Sequence, residues 1–139
     1  MLDRDLVVEK SASIDRCITR IRKVTGGDPR ALEGLDVEDI CVLNLQRAVQ
    51  TTIDLASHWV AAENLGVAKT LKETFSLLEQ AGRLQPDLAE RLRKMVGFRN
   101  IAVHDYQKIS PQILGKIVRL HLGNLEAFAS AALGRTGGD

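Results

Sequence analysis

The sequence predicts an all-α fold, an antiparallel bundle of four long helices plus one short helix. Three observations support this prediction: apolar residues recur at helical spacing, aromatic residues make up only 4% of the chain, and prolines number just three. The chain has 139 residues, the usual size of one domain. We therefore expect a single helical domain over residues 1–133 and a flexible C-terminal tail over residues 134–139.

Five helices are predicted because each apolar repeat is bounded by residues that cap or stop a helix. Glycines follow the first three repeats at Gly26, Gly66 and Gly82. Pro86 and Ser110-Pro111 mark the starts of the last two, since proline fits the first helical turn and serine caps it. The predicted helices cover approximately residues 3–24, 36–65, 67–81, 86–99 and 111–128.

The balance of charges excludes a strong global field. Nineteen basic and eighteen acidic residues leave a formal charge of +1, so any contact with nucleic acid must be local. The N-terminus is charged where a signal peptide is apolar, and no apolar run approaches the length of a membrane span, so we expect a cytoplasmic protein. Cys17 and Cys41 lie among apolar helical residues and are interpreted as reduced packing residues.

Polar residues interrupt the inward face of the fourth predicted helix. Met95 is followed four residues later by Arg99, and Val96 is likewise followed by Asn100. A buried guanidinium is costly without a partner, so Arg99 must face a carboxylate, a cluster of carbonyl groups, a groove or another subunit. A structural arginine and a functional one are both compatible with this spacing.

His104 is the next polar residue of interest on this helix. It lies four residues after Asn100, so the amide of Asn100 can orient the imidazole. Arg99 and His104 are five residues apart, which separates them by about 140° around a regular helix. For both to contact one phosphate, the helix must end near His104 or each must come from a different subunit. Tyr106 follows on a predicted connector, where we expect its hydroxyl to be accessible.

A polar stripe runs along the second predicted helix, which is otherwise apolar almost all round. Arg47, Asp54 and His58 belong to this stripe, together with Asn44 and Thr51. The stripe is either the solvent-facing edge of a mostly buried helix or a polar seam that lines a dimer interface or the same groove that Arg99 could face. The chain's histidines have no glutamate or cysteine at ligand spacing, which predicts no metal site, and no motif indicates a cofactor.

The segment Arg99-Asn100-Ile101-Ala102-Val103-His104-Asp105-Tyr106 resembles the R-x4-H-x-Y motif of HepT-like toxins in the HEPN superfamily. The resemblance extends to Ser13-Ile14-Asp15-Arg16-Cys17 and to residues 45–56, and covers nearly the whole chain. It implies an all-helical homodimer that cleaves RNA, with tRNA as the expected substrate, without a metal ion. It also implies a partner, a small nucleotidyltransferase antitoxin of the MntA type.

The resemblance implies that Arg99 and His104 carry out RNA cleavage and that Asn100 is the polar residue that often follows the arginine. It further implies that Tyr106 receives AMP from the antitoxin, which silences the toxin of a type VII-like pair. One histidine cannot be acid and base at once, so a cleft shared by two subunits is expected. The alternative is a catalytically silent module that binds a nucleotidyltransferase or a nucleotide.

Overall fold

The computed structural model describes residues 2–26, 28–104 and 109–137, and within these ranges the chain forms helices and no strand. The all-α prediction is therefore confirmed. The described part contains six α-helices and a short 3-10 helix at Pro29–Glu33 between the first two. The α-helices are α1 (Arg4–Thr25), α2 (Leu35–Ala62), α3 (Leu71–Gln80), α4 (Pro86–His104), α5 (Pro111–Leu120) and α6 (Leu122–Gly137).

The prediction of four long helices plus one short helix is wrong, because the fifth predicted helix is two helices. His121 leaves the helical conformation (φ −122°, ψ −6°) and separates α5 from α6. Its backbone N–H donates to the carbonyl of Ile117 at 2.8 Å, which closes α5. Its ring Nδ1 contacts the Asn124 amide at 3.2 Å, within the first turn of α6. These short-range contacts stabilise the break without a proline.

Helices α3 and α4 differ from the prediction at one end each. Helix α3 begins at Leu71 because the Thr70 hydroxyl accepts a hydrogen bond from the Glu73 amide at 3.1 Å and caps it. Gly66, with φ +127°, turns the chain before that cap. Helix α4 stays helical as far as His104, five residues past the predicted range, and its end at His104 is one of the two arrangements that the spacing of Arg99 and His104 allowed.

Helix α2 is the centre of the fold and packs against α1, α3, α4 and α6. Its Trp59 lies 5.9 Å from Phe128 of α6 between ring centroids, and Phe128 lies 5.7 Å from Phe75 of α3. All three rings are buried, so they contribute a large share of the apolar area that stabilises the fold. The candidate functional residues of α2 therefore stand on a helix that is fixed on several sides.

Glu63 fastens the end of α2 to two other segments. Its carboxylate accepts hydrogen bonds from the Trp59 indole at 2.6 Å and from Arg83 at 2.8 Å. It also accepts from Arg135 of α6 at 2.9 Å. Burial alone would raise the pKa of Glu63, but the hydrogen bonds from Arg135, Arg83 and Trp59 outweigh it and lower the pKa to about 2.

Cys17 and Cys41 are both buried and free, as the sequence predicted, and burial raises the pKa of the Cys41 thiol to about 11. None of the helices in residues 2–26, 28–104 and 109–137 is long and apolar enough to cross a membrane. Helix α6 continues to Gly137, so helical residues reach into the segment 134–139, and the flexibility of that segment stays a prediction.

Candidate active site

Arg99 lies where α4 packs against α2. The neighbouring turn of α4 is apolar and buried at Met95 and Val96, whereas Arg99 itself is half-buried. Its Nε donates to the side-chain oxygen of Gln50 on α2 at 3.0 Å, and its Nη1 donates to the Asn100 carboxamide oxygen at 3.1 Å. The interruption of the apolar stripe is thus a polar contact between two helices.

Gln50 lies between Arg99 and the acidic residue Asp54 and forms a hydrogen bond with each of them. The Gln50 amide nitrogen donates to Asp54 Oδ1 at 3.0 Å, one turn along α2, while its oxygen accepts from Arg99. Within the described part of the chain, no carboxylate lies at ion-pair distance from Arg99. A neutral amide therefore holds the guanidinium in place, and no carboxylate of the described residues neutralises its positive charge.

The described residues leave part of the hydrogen-bonding capacity of the Arg99 side chain unused. A guanidinium carries five N–H donors in a planar fork, and two atoms of this one, Nε and Nη1, are engaged by Gln50 and Asn100. The remaining donors have no partner among the described residues. This half-buried, positively charged fork is suited to an anionic group with several oxygen atoms, such as a phosphate.

His104 is exposed and is the last helical residue of α4. Because α4 remains helical from Arg99 to His104, the two side chains point to different sides of the helix, about 140° apart. The structure thus does not bring Arg99 and His104 onto one helix face. Tyr106 lies in residues 105–108, outside the described residues.

The sequence predicted that Asn100 would orient the imidazole of His104. In the structure, the Asn100 oxygen accepts from the Arg99 guanidinium, and the contact with His104 stays a prediction. Asn100 and Gln50 therefore hold the arginine from two sides, one from its own helix and one from α2. Two fixed acceptors reduce the rotamer freedom that a long arginine side chain otherwise loses on binding an anion.

The polar stripe of α2 divides into two parts. Asp54 is half-buried and joins the Arg99 network through Gln50, and the exposed Arg47 lies one turn before Gln50. His58 is also exposed, but no hydrogen bond or ion pair links it to these residues in the described part of the chain. The stripe is therefore part polar seam and part solvent-facing edge, and the sequence left both interpretations open.

Sequence reasoning missed Gln50. Its position three residues after Arg47 and four before Asp54 places it beside the polar stripe, and this spacing is the signal that was available. Its partner Arg99 is 49 residues away in the chain, so the contact depends on how α2 and α4 pack. Among the described residues, no group of three histidine, cysteine, aspartate or glutamate side chains is placed to hold a metal ion.

Comparisons with known proteins give a consistent set of matches. The model of a family described as "Ribonuclease HepT-like" matches residues 14–132. A relative from Shewanella oneidensis, named mRNA nuclease HepT, is 39% identical over 124 residues, which are 89% of this chain and 93% of the relative.

Solved structures match with similar coverage. A toxin–antitoxin crystal structure with AMP-PNP has a TM-score of 0.86 and 37% identity, covering 91% of this chain and 96% of that one. A structure of the tri-AMPylated HEPN toxin of Shewanella oneidensis in complex with the MNT antitoxin gives a TM-score of 0.86 and 38% identity, with the same coverage.

Proposed function

The chain belongs to the HepT-like ribonuclease family, and from this premise we propose that it is the toxin of a type VII-like toxin–antitoxin pair, an endoribonuclease that acts without a metal ion. One observation carries the proposal for the site. The Arg99 guanidinium is half-buried, held by the neutral acceptors Gln50 and Asn100, and free of any carboxylate partner in the described part of the chain. Such an arginine is prepared to bind a phosphate.

Cleavage of RNA without a metal requires a base for the ribose 2′-hydroxyl, an acid for the leaving oxygen and positive charge at the phosphorane. We assign proton transfer to His104, whose ordinary pKa of about 6.5 suits either role near neutral pH. We assign charge stabilisation to Arg99. Because one histidine supplies one of the two proton-transfer roles at a time, two subunits that each contribute His104 would complete the set.

A homodimer with a shared cleft would also reconcile the positions of Arg99 and His104. The two side chains point about 140° apart around α4, so a single phosphate is more readily reached by Arg99 of one subunit and His104 of the other. We propose that residues 1–133 form one domain that dimerises in this way and acts in the cytoplasm, where RNA substrates are found. Arg47, Asp54 and His58 are proposed cleft-lining residues.

The substrate class has two candidates. The resemblance noted in the sequence favours tRNA, whereas the 39% identical relative is named an mRNA nuclease. Both kinds of RNA carry the same phosphodiester and 2′-hydroxyl, so the chemistry at Arg99 and His104 does not distinguish them. Incubation of the protein with purified tRNA and with an unstructured mRNA fragment, followed by end mapping, separates the two.

Tyr106 is the proposed site of regulation. A related toxin carries three AMP groups in a complex with its MNT antitoxin, which supports a nucleotidyltransferase partner and an AMPylated tyrosine for this chain. Two residues after His104, an added AMP would place negative charge and bulk beside the proposed cleft and repel an RNA backbone. Intact mass measured after co-expression with the neighbouring nucleotidyltransferase gene product tests this directly.

The decisive test of the ribonuclease is cleavage in the presence of EDTA. Wild-type protein with unmodified Tyr106 should cleave RNA, and Arg99→Ala and His104→Ala should each abolish cleavage while retaining the helical circular dichroism spectrum. Arg30→Ala is the matched control, because Arg30 is an exposed arginine paired with Asp28. No cleavage by unmodified wild-type protein would favour the alternative, a silent module that binds a nucleotidyltransferase or nucleotide.

Mixing wild-type protein with His104→Ala tests the shared cleft. If one cleft needs His104 from both subunits, only the wild-type homodimers of a fully exchanged equal mixture are active, and the mixture should show about a quarter of the activity of the same total amount of wild-type protein. If each subunit acts alone, about half of that activity remains, and this result would contradict the composite site but not the ribonuclease.

A further inference from the structure

A polar groove of about 460 Å³ lies between α1 and α2, next to the Arg99 network. Gln50 belongs to both, because it lines this groove and its carboxamide accepts from Arg99. The groove is therefore adjacent to the proposed site for the scissile phosphate. The other lining residues, most of them polar or charged in type, are Ser13, Arg16, Cys17, Asn44, Arg47 and Thr51.

The two arginines of the groove differ from the half of the chain's arginines that pair with carboxylates in the described residues. Six arginines of the described part are paired with carboxylates, whereas no carboxylate pairs with Arg16 or Arg47 in that part. Both are exposed on neighbouring helices. Since the whole chain carries a formal charge of only +1, two unpaired arginines at one groove are a local concentration of positive charge.

The positive charges of Arg16 and Arg47 both act on Cys17. Burial raises the pKa of the Cys17 thiol, and the positive charges of Arg47 and Arg16 act in the opposite direction, so both guanidinium groups lie near this cysteine in the groove. The acidic groups nearby have other contacts. Asp54 accepts from Gln50, and Asp15 of α1 lines a different pocket against α6.

We propose that this groove is a second phosphate subsite, in which Arg16 and Arg47 bind the RNA backbone next to the scissile phosphate held at Arg99. The proposal rests on the proposed ribonuclease function and deepens it. Arginine forks fit phosphate oxygens, and hydroxyl and amide groups such as those of Ser13 and Asn44 commonly contact phosphate and sugar.

A protein partner fits this groove less well than RNA does. The centres of protein interfaces are depleted in charged residues and enriched in apolar and aromatic ones, whereas the lining here has only Cys17 as an apolar side chain. The groove also continues into the Arg99 network through Gln50, as expected for adjacent subsites on one strand. Gln50 would then hold the two phosphate sites in a fixed relation.

The subsite predicts a defined dependence on salt. Each phosphate contact to single-stranded nucleic acid contributes about −0.7 to the slope of log Kobs against log salt concentration. The double variant Arg16→Gln/Arg47→Gln should therefore bind with a slope smaller in magnitude by about 1.4. Its Kd at low salt should rise by at least about tenfold, because two charge-assisted contacts are lost.

The experiment measures fluorescence anisotropy of a labelled 2′-O-methyl oligoribonucleotide, which is not cleaved, across a range of salt concentrations. The control is Arg4→Gln/Arg30→Gln, which removes the same two charges from exposed positions away from the groove. Relative to wild-type protein, we expect the control to change the slope by less than half as much as the groove variant does, and the groove variant to lose affinity. Equal slopes and Kd values for the groove variant and the control would overturn the proposal.

Two further readouts separate this proposal from neighbouring ones. In the groove variant, cleavage of a longer RNA should slow more than cleavage of a dinucleotide, which contains only the scissile phosphate. If wild-type protein cleaves and binds RNA but the groove variant loses only its nucleotidyltransferase in a pull-down, the groove is a protein-docking surface and the proposal is wrong. If wild-type protein neither binds nor cleaves RNA, the proposed function itself fails.

Discussion

Replacing Glu63 with glutamine tests how much the charge of this residue, at the end of α2, contributes to the free energy of unfolding. The Glu63 side chain is 10% exposed and accepts from Trp59, Arg83 and Arg135. Its pKa of about 2 lies well below the ordinary value of 4.5, because the three donors outweigh the opposing effect of burial. The ionised carboxylate therefore stabilises the folded state, and Glu63→Gln removes that charge.

The magnitude follows from the lowered pKa. A lowering of the pKa from 4.5 to about 2 corresponds to about 3 kcal/mol of stabilisation, at about 1.36 kcal/mol for each unit of pKa. Since the folded pKa is lower than the unfolded one, this contribution is fully present above pH 4.5 and is lost as the pH falls toward 2. Linkage predicts that about 2 kcal/mol of it is already gone at pH 3.

The assay is urea unfolding followed by circular dichroism, at one protein concentration, at pH 7 and at pH 3. Wild-type protein should exceed Glu63→Gln by about 3 kcal/mol in free energy of unfolding at pH 7 and by about 1 kcal/mol at pH 3. The comparison with the variant cancels the titration of the other carboxylates. A difference that stays constant between the two pH values would refute the reasoning.

Glu126 provides the matched control for Glu63. It forms a two-pronged pair with Arg22, but the two side chains are 52% and 40% exposed for Arg22 and Glu126. Exposed ion pairs contribute at most about 1 kcal/mol. We expect Glu126→Gln to change the free energy of unfolding by less than this, so the number of hydrogen bonds alone does not determine the effect.

Three further predictions concern the candidate site and helix α3. Gln50→Leu removes the amide that holds Arg99, and we expect kcat/KM for RNA cleavage to fall by about tenfold to a hundredfold, the cost of one charge-assisted hydrogen bond. Arg99→Lys keeps the charge but not the fork that contacts Gln50 and Asn100, so cleavage should fall by at least about tenfold. Thr70→Ala removes the α3 cap and should lower the free energy of unfolding by about 1 kcal/mol, measured by urea unfolding, without changing cleavage.

Each of these predictions has a result that would contradict it. Wild-type kinetics in Gln50→Leu would show that Arg99 needs no support from α2. Full activity in Arg99→Lys would reduce the role of Arg99 to its charge. Slower cleavage by Thr70→Ala, at a temperature where the variant is folded, would mean that α3 contributes to the site.

Local signals in the sequence predicted most of the helix starts, and they also predicted the end of α1 at Gly26. Ser110 caps α5, with its hydroxyl accepting from the Ile113 amide at 3.1 Å, and Pro86 opens α4 as expected. Gly26 ends α1 in the left-handed conformation at φ 58°. These features are encoded within four or five neighbouring residues, which is why the sequence alone suffices for them.

The features that the sequence did not predict depend on weaker or more distant contacts. The break at His121 lies in an apolar repeat that continues on both sides, and a short-range contact to Asn124 stabilises it. The interruption at Arg99 indicated that a partner was needed, but periodicity carries no information about which helix provides it. Gln50 became identifiable only once α2 and α4 were packed together.

The single tryptophan of the chain gives the protein a built-in optical reporter. Trp59 is 1% exposed and its indole N–H donates to Glu63, so its fluorescence arises from one dry, hydrogen-bonded environment. It stands nine residues after Gln50 on α2, about 13 Å along the helix axis. Emission at the tryptophan wavelength therefore reports the intactness of the central helix in every variant, while the candidate site itself stays free of any label.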